Sequence, residues 1–180
     1  MDQLNFETDN GLEIFGPNTL VFAIDDTGNE RFKDPAHPVF GLAGCGFMVI
    51  DYVRLIDGPW SNLCNRLFGS VERPLHASEI QFTRDQIEGL SEYFKSYEFF
   101  RVGVTTRHEI SNETEESIID LLGNALLARL CDVGQWAIFD RFVIIIEASD
   151  RVENRILRSL SNKELERGDS RIKVEHSCYA

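Results

Sequence analysis

Basic residues are scarce in this sequence: eighteen Lys and Arg face thirty Asp and Glu, leaving a formal charge of −12. That deficit excludes a general nucleic-acid coat protein, whose non-specific affinity comes from cations neutralising phosphates. It does not exclude an enzyme that meets nucleic acid through divalent cations, because a carboxylate site repels phosphate only until metal fills it. Long apolar runs are also missing, and none nears the roughly 20 residues of a membrane helix. No membrane partner is expected. Met1 to Asn10 lacks the basic start and apolar core of an export signal, so the expected compartment is the cytoplasm. Cys45, Cys64, Cys131 and Cys178 include no CxxC pair and read as reduced, structural residues. There is no internal repeat and no low-complexity segment. What is present, 43% hydrophobic and 27% charged residues over 180 positions, is enough for one globular domain over 1–180 and too little for two.

Along the chain, residues 1–18 read as a lead-in loop. Leu20 to Ile24 is a short apolar run halted by Asp25-Asp26-Thr27-Gly28, the pattern of a buried strand ending in a turn. Val39 to Ile50 predicts a second, glycine-rich strand, and Tyr52 to Ile56 a third, antiparallel to it. Asp57-Gly58-Pro59 signals a helix start and Gly69 its end. Thr83 with Gln86 forms a capping box for a second helix, with Ile87, Leu90, Phe94 and Tyr97 on its inner face. Residues 98–106 alternate as a strand. Asn112 with Glu115 opens a helix reaching about Leu130, whose expected stripe is Ile118, Leu121, Leu122, Ala125 and Leu126. Phe142 to Ile146 is the most strand-like run; a helix over about 150–160 and a short strand over Ile172–Glu175 follow. Strands first in a meander and then alternating with helices predict an α/β fold: a five-stranded mixed sheet of ribonuclease H type with helices on both faces.

In such sheets reactive groups gather where strands end. Two apolar strands end in acids, Ile24 into Asp25-Asp26 and Ile146 into Glu147, and Glu79 lies with His76 in the irregular stretch Leu75 to Ile80. Converging carboxylates repel unless a cation sits among them, and Mg²⁺ or Mn²⁺ suits an oxygen-rich site. Two such ions about 4 Å apart can clamp both oxygens of a phosphodiester displacement.

The order Ile24-Asp25-Asp26-Thr27-Gly28-Asn29, then Phe40-Gly41-Leu42-Ala43-Gly44, then Leu75-His76-Ala77-Ser78-Glu79-Ile80, then Ile144-Ile145-Ile146-Glu147 resembles a prokaryotic family of unknown function. Its members open with an apolar strand followed by Asp-Glu-Ser-Gly and belong to the ribonuclease H-like superfamily. The resemblance spans about residues 20–176. It implies a metal-dependent nuclease on RNA or DNA. Asp25 would be the central ligand, with Glu79 and Glu147 completing the metal set. Asp26 would lie beside them as ligand or acceptor, and His76 would position water or the leaving group. Three departures stand out. Asp26 and Thr27 replace Glu and Ser, and Glu147 replaces Asp. The family's pattern also continues into a helix with a Gln-x-x-Asp-like motif, whereas this sequence ends at His176-Ser177-Cys178-Tyr179-Ala180. Either the domain runs on past Ala180, or part of the site is lacking.

Each of these residues also has a structural reading. Asp25 and Asp26 can end a strand in a turn, Glu147 can precede a helix cap at Ser149 or Asp150, Glu79 can be a solvated loop acid, and His76 a hydrogen-bonded structural histidine. Gly41, Gly44 and Gly46 have the wrong spacing for a dinucleotide fingerprint and instead let a strand pack closely. An aspartyl-phosphate phosphatase would want an acid where Thr27 stands. The alternative of another class is an inactive acidic module of the same fold that binds a protein partner, for example in a host–phage conflict system. The missing C-terminal acid and the −12 charge favour that alternative, and no nucleic-acid-binding motif or Lys/Arg stripe argues against it.

Overall fold

The computed structural model describes residues 3–8, 11–28, 39–69, 80–107, 115–135, 137–147, 163–167 and 170–179. In chain order the strands and α-helices are β1 (Leu4–Thr8), β2 (Gly11–Phe15), β3 (Thr19–Gly28), β4 (Val39–Met48), α1 (Pro59–Phe68), α2 (Arg84–Ser96), β5 (Phe100–Arg107), α3 (Glu115–Gly134), β6 (Arg141–Glu147), β7 (Glu164–Arg167) and β8 (Ser170–Tyr179). Six strands form one mixed sheet in the order β5-β4-β3-β6-β8-β7. β3, β4 and β5 pair antiparallel, whereas β3, β6 and β8 pair in parallel. The sheet therefore has six strands rather than the five expected, because β7 folds back antiparallel on β8 at the edge.

Strand alternation divides the core. Leu20, Phe22 and Ile24 of β3 and Phe142, Ile144 and Ile146 of β6 pack with Ile119, Leu122, Leu126 and Leu130 of α3. Val21, Val143 and Ile145 face the other way, against Phe47, Leu55, Leu4 and Phe15. β6 is thus buried on both sides, which explains why its sequence shows no polar alternation. On α3 the buried stripe runs through Ile119, while Leu121 is 52% exposed. Residues 118–122 are almost continuously apolar, so periodicity alone selected the wrong neighbour. On α2 the Thr83–Gln86 capping box is present, but Ile87 is exposed and Tyr93 carries the burial.

Two larger expectations are corrected. Tyr52–Ile56 is no strand: a 3-10 turn (Val49–Asp51) leads into a π-helical turn (Val53–Asp57) that buries Leu55. The Tyr93 hydroxyl donates to the Leu55 carbonyl at 2.5 Å and pins this turn. The helix-starting Gly58-Pro59 lies too close for a strand to turn back, so the meander takes its third strand from β5, after both helices. Nor is the N-terminal stretch a loop, since β1 and β2 form an antiparallel hairpin with Phe15 fully buried. Arg141 holds it down. The guanidinium lies 5.0 Å above the Phe15 ring, donates to the Ile14 carbonyl at 3.0 Å, and makes two bonds to Glu175 Oε2 at 2.9 and 2.6 Å. Among the described residues no helix is long and apolar enough to cross a membrane. Cys45, Cys64 and Cys131 form no disulfide. The expected helix over 150–160 and the cap at Asn112 lie outside the described residues.

Candidate active site on two adjacent parallel strands

Ile24 of β3 and Ile146 of β6 are register partners on neighbouring parallel strands. Asp25 and Glu147 are the next residue along each, one step past the last pair of this ladder; β3 runs on against β4 as far as Gly28, while β6 ends at Glu147, which pairs with Tyr179 of β8. The sequence produces this by ending two equally long apolar runs in an acid. Asp25 is exposed, and its Oδ1 accepts a hydrogen bond from the Asp26 N–H at 2.8 Å. Asp26 itself is half-buried and pairs with Leu42, whereas Asp25 pairs with Ala43. The two adjacent carboxylates therefore leave opposite faces of the strand. Asp26 sits on the α3 face, away from Asp25.

His76 and Glu79 lie outside the described residues, as does the side chain of Glu147. Among the described residues no three His, Cys, Asp or Glu side chains come together as a metal group.

The turn expected at Asp25-Asp26-Thr27-Gly28 is not formed: these residues continue β3 in register with β4, and Gly28, paired with Phe40, ends the strand. The Gly28 φ is +87°, and a Cβ there would stand 1.8 Å from the Val39 carbonyl oxygen of the paired strand. Only glycine lets β3 and β4 meet this closely beside the aspartates. Gly28→Ala is expected to cost on the order of 2–4 kcal/mol, read as a lower urea midpoint, since left-handed strain and a backbone clash add.

On the Asp25 face the sheet carries small side chains. Ala23, Ala43 and Gly103 are all exposed. One register step back from Asp25 lies a hollow of about 200 Å³, floored by Ala23 and Cys45 and walled by Trp60, Phe94 and Phe99. Trp60 and Phe94 ring centres lie 6.0 Å apart, and Phe94 and Phe99 5.8 Å. Arg101 pairs with Cys45 across β4 and β5, is exposed, and donates to the Phe94 carbonyl at 2.6 Å. Reading the sequence for acids missed this aromatic rim. The signal that marks it is the coincidence of Ala, Cys and Gly on one face of three adjoining strands.

Burial pushes the Cys45 thiol up to about 11, against the opposing pull of Arg101, and burial likewise raises the Tyr93 hydroxyl beside it. The fold thus favours the neutral thiol. Its contribution to stability is complete below about pH 9 and fades as pH rises towards 11. Cys45→Ala should flatten that decline in urea midpoint between pH 8 and 10.5. At pH 8 wild-type Cys45 should also label with iodoacetamide on the order of 100-fold more slowly than an unperturbed thiol.

No family model and no curated protein matches the sequence. Among solved structures, a crystal structure of a glutamine-to-alanine mutant protein of Bst-RNase HIII superposes with a TM-score of 0.44 and 14% identity, covering 88% of this chain. This chain spans 45% of that one.

Proposed function

We propose that the chain is a divalent-metal-dependent phosphodiester hydrolase of ribonuclease H type, acting on RNA or DNA and related to the proteins with a strand-end Asp-Glu-Ser-Gly motif. One observation supports the reading: Asp25 and Glu147 each follow the last register pair, Ile24 and Ile146, of two adjacent parallel strands, near the carboxyl ends where α/β sheets gather reactive groups. The donors are oxygen only, which fits a hard cation such as Mg²⁺ or Mn²⁺. Asp25 is the central ligand, with Glu147 and Glu79 completing the set and His76 positioning water or the leaving group. When bound, a pair of such ions would stabilise the attacking and leaving oxygens of the displacement. Asp26 acts through its backbone, whose N–H orients the Asp25 carboxylate.

The test is incubation of the purified chain with single- and double-stranded RNA and DNA in Mg²⁺, Mn²⁺ or EDTA. Cleavage that needs the cation is expected. No cleavage of any substrate with either ion would replace this reading with the acidic partner-binding module, for which a partner recovered by pull-down should survive Asp25→Ala.

A further inference from the structure

The hollow behind Asp25 has a composition and position that the hydrolase reading does not use. Its walls are the rings of Trp60, Phe94 and Phe99 and its floor is Ala23 and Cys45, so it offers flat apolar surfaces with few polar partners. Across the sheet, Arg101, Cys45 and Ala23 form one row, and Gly103, Ala43 and Asp25 form the next. Two residues of strand separate the rows, about 7 Å. Nothing larger than a methyl group rises from the second row between Arg101 and Asp25. The guanidinium at the rim has five donors and gives one to the Phe94 carbonyl, leaving donors for an anionic oxygen. An exposed cation beside these aromatic rings stands out on a chain of charge −12.

We infer that the hollow takes one unstacked base of a single-stranded nucleic acid, with Arg101 contacting its phosphate and the sugar–phosphate chain crossing Ala43 and Gly103 to Asp25. Stacking on aromatic side chains with a neighbouring cation is how single strands are held without sequence readout. A duplex cannot enter unless a base leaves its stack, which costs a few kcal/mol. The inference rests on the hydrolase reading for what happens at Asp25, but its binding step stands apart from cleavage. It makes the substrate single-stranded or locally unpaired.

The experiment uses Trp60 as reporter in a W136F background, which leaves it the sole tryptophan of the chain. A short oligodeoxyadenylate, alone or annealed to its complement, is titrated in Ca²⁺ at low salt. The single strand is expected to quench Trp60 and the duplex to leave it unchanged. Ala23→Leu, which fills the floor, should weaken single-strand binding about 10-fold or more. Arg101→Gln, at an exposed edge position, should weaken it several-fold and lessen its salt dependence. Thermal melts check that both variants are folded. Equal quenching by duplex and single strand, or unchanged affinity in folded Ala23→Leu and Arg101→Gln, overturns the inference. Single-strand binding that Ala23→Leu abolishes, in a protein that cleaves nothing, supports the hollow and removes the hydrolase. Asp25-dependent cleavage that Ala23→Leu leaves unchanged does the reverse.

Discussion

Asp25→Asn is expected to lower Mg²⁺-dependent cleavage of nucleic acid by at least about 100-fold, since even outer partners of metal ligands cost 10–100-fold when removed. The same substitution should leave the urea midpoint almost unchanged. Asp25 is exposed, its carboxylate accepts only a local bond from the next residue's N–H, and Asn keeps an acceptor there. Surface changes of this kind usually stay within about 0.5 kcal/mol. Loss of activity without loss of stability separates a ligand from an aspartate with a purely structural place in β3. Asp26→Asn serves as the comparison. Its side chain leaves the other face of β3, so it should reduce cleavage far less than Asp25→Asn.

The largest effect on stability is expected from Phe22→Ala. Phe22 is fully buried, its ring centre 5.8 Å from that of Phe142 and 6.4 Å from that of Phe100. Deleting it should cost about 3–5 kcal/mol and lower the Tm by on the order of 10 °C. Gly46, its register partner on β4, is the other half of this contact. A Cβ at Gly46 would stand 2.5 Å from the Phe22 ring. The ring is held by buried neighbours and cannot move aside, so Gly46→Ala alone should cost about 1–3 kcal/mol by overpacking. In the Phe22→Ala background the same change should cost nothing or stabilise. The non-additivity of the pair is therefore the specific signature of the contact, and urea unfolding of the four proteins in a double-mutant cycle measures it.

The glycines of β4 show what the sequence could and could not say. Their spacing rules out a dinucleotide fingerprint and points to close packing, and Phe22 over Gly46 is that packing. β3 and β6 were legible because five consecutive apolar residues ending in acids match a buried strand and little else. Gly69 and the Thr83–Gln86 pair were legible because capping depends on local geometry alone. The failures lie where two local patterns compete. Tyr52–Ile56 has the β-branched composition of a strand, yet its place is decided by Tyr93, 38 positions away, which bonds the Leu55 carbonyl. The hairpin β1–β2 looks polar and weak in isolation, and its stability comes from Phe15 and the Arg141 clamp reaching it from β6.

The candidate site was legible only in part, for a related reason. Which acids follow apolar runs can be read locally, so Asp25 and Glu147 could be named, although β3 runs on past Asp25 to Gly28. That they become neighbours depends on β3 and β6 pairing in parallel across more than 100 intervening residues, in a register that no local pattern encodes. The separation of Asp25 from Asp26 needed only the two-residue period of a strand, once the strand was known to run through both. The aromatic hollow needed the full topology, because its walls come from α1, α2 and the start of β5 and its floor from β3 and β4.

Direct titration with Mn²⁺ by calorimetry, with no nucleic acid present, tests the pairing of Asp25 with Glu147 most simply. The wild-type chain should show a saturable site that excess Mg²⁺ displaces, weakened at least about 10-fold by Asp25→Asn and by Glu147→Gln alike. Binding that either variant leaves at wild-type affinity, or a wild-type chain that takes up no Mn²⁺, would contradict it.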